Sequence, residues 1–239
     1  MRLLPLLAML TGCTTQMYAR GVFVSEAPTP VVRADVNIQI SFFGIPLQGA
    51  QDVVFVLDHS GSMSGVAAGF AGEDVGMSKG GAILTGLGAQ LVNAKTHSMK
   101  TKMEAAKEEL IHTLSVMPDG TRFMIIFFDD ELAAFSPQMT TLDGYSRQAA
   151  INFVRGIKPA GSTAAVPALR LAYGAGAARV VLLSDGLANT GGSGDELLRD
   201  ARFQMQHGVR FDTVGLGIDQ DSPLMNTLAS ESGGLAVKR

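Results

Sequence analysis

Four apolar runs without alternation, at 53–57, 123–128, 180–183 and 209–216, constrain this chain more than any other feature, the last being mixed with polar residues. A strand with one wet face alternates apolar and polar side chains. A run that does not alternate fits a strand covered on both faces, as in a parallel sheet. Parallel neighbours need crossovers, usually helices, and helical periodicity lies between the runs. Met99, Met103, Ala106, Leu110, Leu114 and Met117 recur at helical spacing, with Lys and Glu on the other face, from a start near Ser98. Pro118-Asp119-Gly120 stops that helix. Further helices are expected at 145–155 and 164–173, and after Ser193 and Glu196, which are spaced as a capping box. Gly208 ends that last helix and Ser222-Pro223 opens another. Residues 36–42 alternate, predicting a half-buried leading strand. The whole predicts an α/β domain with a doubly wound, mostly parallel central sheet flanked by helices on both faces.

Composition removes several function classes. A net charge of -3 offers no basic surplus for a nucleic-acid backbone, so no nucleic-acid partner is expected. A single Cys permits neither an intrachain disulfide nor a Cys-rich metal knuckle. His59, His97, His112 and His207 lack the H-x-x-x-H spacing of a zinc hydrolase. No run reaches the roughly 18 apolar residues of a membrane span.

The first residues read as an address. Met1-Arg2 precedes an apolar stretch at 3–10, the shape of a secretory signal. It ends in Leu10-Thr11-Gly12-Cys13, which resembles the lipobox of bacterial lipoproteins. That resemblance implies removal of residues 1–12 and lipidation of Cys13, and therefore a lipid-anchored protein of the bacterial cell envelope. Thr14 stands where an Asp commonly retains such proteins at the inner membrane, so the outer membrane is the expected destination in a Gram-negative cell. Residues 13–50, with Pro28 and Pro30, read as a tether carrying the leading strand, and 51–239 as the domain proper.

In a doubly wound sheet, ligands bind beyond the carboxyl ends of the strands, where strand order reverses. The residues that follow the apolar runs are therefore the candidates. Asp58-His59-Ser60-Gly61-Ser62-Met63-Ser64 follows the first run, and Ser184-Asp185-Gly186 follows the third. Gly161-Ser162-Thr163 precedes a predicted helix. Two carboxylates and three hydroxyls can converge there, an oxygen-only set suited to a hard divalent cation. His59 beside Ser60 is expected only to fill a variable position, because a catalytic base needs a third group to orient it. Asp129 and Asp130 are expected to be solvated loop residues.

An apolar strand, D-x-S-x-S, a later Thr and an Asp in S-D-G together resemble the von Willebrand factor type A (VWA) domain and its metal-ion-dependent adhesion site (MIDAS). The phrases Pro118-Asp119-Gly120-Thr121-Arg122-Phe123 and Ser232-Gly233-Gly234 are also similar to the family. The resemblance implies that Asp58, Ser60, Ser62, Thr163 and Asp185 hold the ion, the hydroxyls directly and the carboxylates often through water. Mg²⁺ is the implied ion, with Mn²⁺ and Ca²⁺ as alternatives. It also implies a protein partner that offers a carboxylate to the metal, without catalysis. Two other readings use the same residues: a metal-assisted hydrolase, and a structural envelope protein in which the ion only stabilises the fold. Familiar enzyme patterns fail on single residues. Ser60 stands where a haloacid-dehalogenase-like enzyme needs its second Asp, and Met63 stands where an α/β-hydrolase needs Ser.

Two departures from the family pattern are expected to matter. Residues 65–97 read as a Gly-rich insertion between the D-x-S-x-S loop and the first helix, with Ile83, Leu84, Leu87 and Leu91 as a short apolar stripe. With Arg239 following Gly233-Gly234 so closely, the last strand is expected to be short and one face of the sheet less covered.

Overall fold

The computed structural model describes residues 39–67, 100–186, 192–217 and 222–239. The signal at 1–12, Cys13, the start of the leading strand and most of the proposed insertion lie outside the described residues.

The apolar runs form the centre of a seven-stranded sheet. Strands β3 (Val53–Asp58), β4 (Arg122–Phe128), β7 (Arg179–Ser184) and β8 (Arg210–Gly215) are mutually parallel where they pair. The order across the sheet is β5-β4-β3-β7-β8-β9, with the short strands β5 (Leu132–Ala134) and β6 (Thr140–Thr141) antiparallel to β4. Strand β9 (Ala236–Lys238) closes the far edge, and it is short as expected.

Each central strand alternates between two separate cores. Val53, Phe55 and Leu57 face helices α1 (Lys102–Val116) and α2 (Gly144–Gly156). Val54 and Val56 face α3 (Ala165–Gly174), and the same layer takes in α4 (Gly194–Gln206) and α5 (Ser222–Glu231). Both sides are buried, which is why the strands carry no polar alternation.

A hairpin, β1 (Ser41–Phe42) and β2 (Ile45–Pro46), packs on the α1 and α2 side of the sheet. Phe43 (φ 50) and Gly44 (φ 85) make its tight turn. Phe42, Phe43, Ile45 and Leu47 are buried in the same core as α1 and α2, and Phe42 meets Phe55 edge-on at 5.5 Å. The Thr113 hydroxyl donates to the Ser41 carbonyl (2.9 Å), and Arg239 donates to the Phe43 carbonyl (3.0 Å). The described end of the predicted 36–42 strand is thus one arm of a two-stranded flap over the sheet.

Helix α1 begins later than its periodicity predicted. Thr101 caps it, and Glu104 completes a reciprocal capping box with the Thr101 backbone. The box expected at Ser193 forms by half: Ser193 accepts from the Glu196 N–H, but the Glu196 carboxylate turns to Arg170 at 2.7 Å. Just before α1, Val66 and Thr101 form an antiparallel bridge, and the Ala67 N–H donates to the Lys100 carbonyl at 3.0 Å. The chain on either side of 68–99 is therefore joined by a backbone hydrogen bond between Ala67 and Lys100 and a bridge between Val66 and Thr101.

Candidate metal centre at the carboxyl end of the sheet

Strands β3 and β7 are neighbours whose following helices, α1 and α4, pack on opposite faces. This is the switch point at which doubly wound sheets form their crevices. Asp58 is the last residue of β3, and Asp185 directly follows Ser184, the last residue of β7, so backbone register brings the two carboxylates to the same crevice.

Asp58 is fully buried within the strand, deeper than a position after it. Its Oδ1 accepts the Ser60 N–H (2.8 Å), and its Oδ2 accepts the Ser184 hydroxyl (2.7 Å). A 3-10 turn, Gly61–Ser64, then carries the chain across the strand ends. Ser60 Oγ and Ser62 Oγ stand 3.0 Å apart, and Ser62 Oγ donates to Asp185 Oδ1 at 2.8 Å. Asp58, Ser60, Ser62, Ser184 and Asp185 thus form one connected set of oxygens. Burial pushes the Asp58 carboxyl above its ordinary range; bonds from Ser60 and Ser184 offset part of this, and the nearby Asp185 charge adds to it.

Thr163 is buried just before α3, on a loop tied to the first one. The Gly61 N–H donates to the Gly161 carbonyl (3.1 Å), the Ala160 N–H to the His59 carbonyl (2.8 Å), and the Ala164 N–H to the Asp129 carbonyl (3.0 Å). Gly161 has φ +56, and a Cβ there would lie 2.8 Å from Asp130 Oδ2, so the close approach of the loops requires glycine. All five residues of the D-x-S-x-S, Thr and Asp pattern therefore lie on segments gathered at one end of the sheet.

Two participants escaped the sequence reading. Ser184 was visible in S-D-G but carried no assigned role. Lys102, the first residue of α1, reaches Asp185 Oδ2 at 2.8 Å, with its side chain 13% exposed and that of Asp185 2% exposed. Nothing in its spacing marks it, because partner and lysine lie 83 residues apart.

Asp129 differs from expectation. It is buried, its Oδ1 accepts the Glu131 N–H (2.6 Å), and its Oδ2 lies 3.6 Å from His59 Nδ1. The same ring nitrogen is 3.1 Å from the Lys158 carbonyl, while His59 Nε2 is buried without a hydrogen-bond partner. Asp130 is exposed, as expected.

The donor set fits a hard divalent cation: it is all oxygen, carries two carboxylates, and already draws a cationic group onto Asp185. Among the described residues there is no cluster of three or more His, Cys, Asp or Glu, so the set differs from a nitrogen- or sulfur-rich site.

A family profile described as von Willebrand factor type A domain matches residues 91–237, more than half of the chain. The chain belongs to the VWA family. The match includes Thr163 and Asp185, while Asp58, Ser60 and Ser62 precede it. Solved structures agree on the fold. A von Willebrand factor type A structure from Catenulispora acidiphila is 21% identical with a TM-score of 0.58, covering 79% of this chain and 39% of its own. The present chain thus spans about two-fifths of that relative. An aerotolerance-related membrane protein from Bacteroides fragilis is 15% identical with a TM-score of 0.55, covering 80% of this chain and 92% of its own. Proximal thread matrix protein 1 from the mussel byssus, with a zinc-occupied MIDAS motif, is 17% identical with a TM-score of 0.52, covering 79% of this chain and 41% of its own. At these identities the likeness is one of fold. No match was found among curated protein sequences.

Proposed function

We propose that this VWA domain holds a divalent ion at Asp58, Ser60, Ser62, Thr163 and Asp185, and through it binds a carboxylate of a partner protein without catalysis. The observation that carries this reading is the connected oxygen set at the switch point, with two carboxylates converging from β3 and β7. The zinc-occupied MIDAS motif named for the mussel structure supports it. The ion supplies positive charge and an open coordination position for an incoming carboxylate. Neutral hydroxyls leave much of its charge uncompensated, which favours such a ligand. An all-oxygen set suits Mg²⁺, with Mn²⁺ and Ca²⁺ also admissible.

The chain's residues divide the work. Ser184 and the Ser60 N–H fix the orientation of Asp58, Ser62 orients Asp185, and the 161–163 loop positions Thr163. Cys13 is proposed as the lipid attachment point after loss of residues 1–12, placing the domain in the bacterial cell envelope. The similar Bacteroides fragilis protein is a membrane protein, which supports that placement. Among the described residues no helix is long and apolar enough to cross a membrane.

One observation favours the hydrolase reading: Asp129 beside His59 resembles the orienting half of a base. The remaining nitrogen, Nε2, contacts no hydroxyl, and the Ser60 hydroxyl is engaged with Ser62. Binding therefore remains the preferred function. Affinity capture from envelope extract, with Mg²⁺ and with chelator, tests it. The partner is expected on the wild-type protein with Mg²⁺ and absent both with chelator and on the Asp58→Asn variant. Capture indifferent to both would overturn the reading.

A further inference from the structure

Lys102 is set against the local electrostatics. It occupies the first turn of α1, where the helix dipole disfavours a cation. Its side chain is only 13% exposed, so its ammonium has lost much of its water. The surroundings are shaped to admit it. Gly217 has φ +89, and a Cβ there would lie 2.9 Å from Lys102 Cε and 3.1 Å from Nζ. The Lys102 N–H is held by the Gly65 carbonyl at 2.9 Å, immediately after the D-x-S-x-S turn. Among the described residues its charge is carried to Asp185 Oδ2 at 2.8 Å, while Asp185 Oδ1 receives Ser62.

We infer that Lys102 is a tethered counter-ion of the metal centre: its ammonium neutralises Asp185 in the ion-free domain, and a divalent ion must bind against it. This rests on the metal reading given above. It has two consequences. Lys102 weakens ion binding, because a like charge stands within reach of the carboxylate that the ion uses. It also couples ion to ligand. With Asp58 ionised, two carboxylates and one ammonium sum to a single negative charge; a divalent ion turns the sum to a single positive charge, which a partner's carboxylate neutralises. Lys102 is in this sense a positioning residue for charge, acting through Asp185.

The test is titration calorimetry of the full chain with Mn²⁺ alone, on wild type, Lys102→Met, Lys102→Gln, Lys102→Arg and Asp58→Asn. Lys102→Met and Lys102→Gln are expected to bind Mn²⁺ roughly tenfold more tightly than wild type, and Lys102→Arg to stay near wild type. Melting in chelator should show both neutral variants less stable than wild type, with the deficit recovered by Mn²⁺. The Gln variant keeps a polar partner for Asp185 if the Met variant fails to fold. A purely structural lysine would lower stability and leave Mn²⁺ affinity unchanged or weaker, which would overturn the inference. If wild type binds Mn²⁺ and Asp58→Asn does not, while the neutral Lys102 variants match wild type, this inference alone falls. If Mn²⁺ binding is indifferent to Asp58→Asn, the metal reading falls with it.

Discussion

Asp52 and Asp58 bracket the same central strand, yet the two ends of the sheet treat a carboxylate differently. Asp52, at the amino end, sits in a left-handed turn (φ 50) and pairs with Arg122 at 2.8 Å, with side chains 26% and 53% exposed. Asp58, at the carboxyl end, is fully buried, accepts two hydrogen bonds and has its carboxyl pushed above the ordinary range. Asp52 Oδ1 is itself buried, but water reaches the pair through the half-exposed Arg122, so it adds little to stability. Asp58 is held where an isolated charge is costly. The difference teaches where to look for chemistry on this fold: where a buried carboxylate is held by an N–H and a hydroxyl, as Asp58 is, and not against cations, as the buried Asp212 is by Arg179 and Arg210.

That contrast can be broken or sharpened by mutation. The largest effect is expected for Asp185→Asn. It removes a site carboxylate and strands the Lys102 ammonium, so Mn²⁺ binding should vanish in calorimetry and stability should fall by about 3 kcal/mol in denaturant titration. A smaller effect is expected from pH. Because burial raises the Asp58 pKa in the folded chain, the folded state keeps its proton to higher pH than the unfolded state does. Stability in chelator should therefore be fully present below the ordinary value of 3.8 and decline as pH rises from there through the raised value. Asp58→Asn should remove that part of the decline, read as the difference between the two melting profiles. Asp52→Asn should cost no more than about 1 kcal/mol, with Mn²⁺ affinity unchanged. The smallest effect is expected from replacing residues 68–99 by a short Gly/Ser linker. The flanking residues Val66 and Thr101 already meet, and loop entropy changes by only about 0.6 kcal/mol per doubling of length, so folding and Mn²⁺ affinity should both survive.

Much of this arrangement was legible in the sequence, for identifiable reasons. The strands declared themselves because both their faces are buried, leaving runs such as Phe123–Phe128 with no polar residue. The site pattern was legible because a parallel sheet puts its loops at one end, so residues after separate strands become neighbours. What stayed hidden depended on tertiary placement. Lys102 looked like any lysine on a charged helix face, alongside Lys100 and Lys107. Asp129 and Asp130 read alike as solvated residues of a loop after a strand, yet the 158–164 loop packs back on that turn, burying Asp129 while Asp130 stays exposed. The hairpin at 41–46 was obscured because its reversal at Phe43 and Gly44 interrupts no apolar pattern. Glu196 matched a capping box, but Arg170, which comes from another helix, offered a stronger partner.

The buried carboxylate at the end of β3 is proposed above to bind a divalent ion. The most direct measurement of that binding is a side-by-side calorimetric titration of Mn²⁺ into wild type, Asp52→Asn and Asp58→Asn, each shown to be folded by its melting transition. Saturable one-site binding is expected for wild type and Asp52→Asn, and none for Asp58→Asn. Equal binding by all three folded proteins would contradict it.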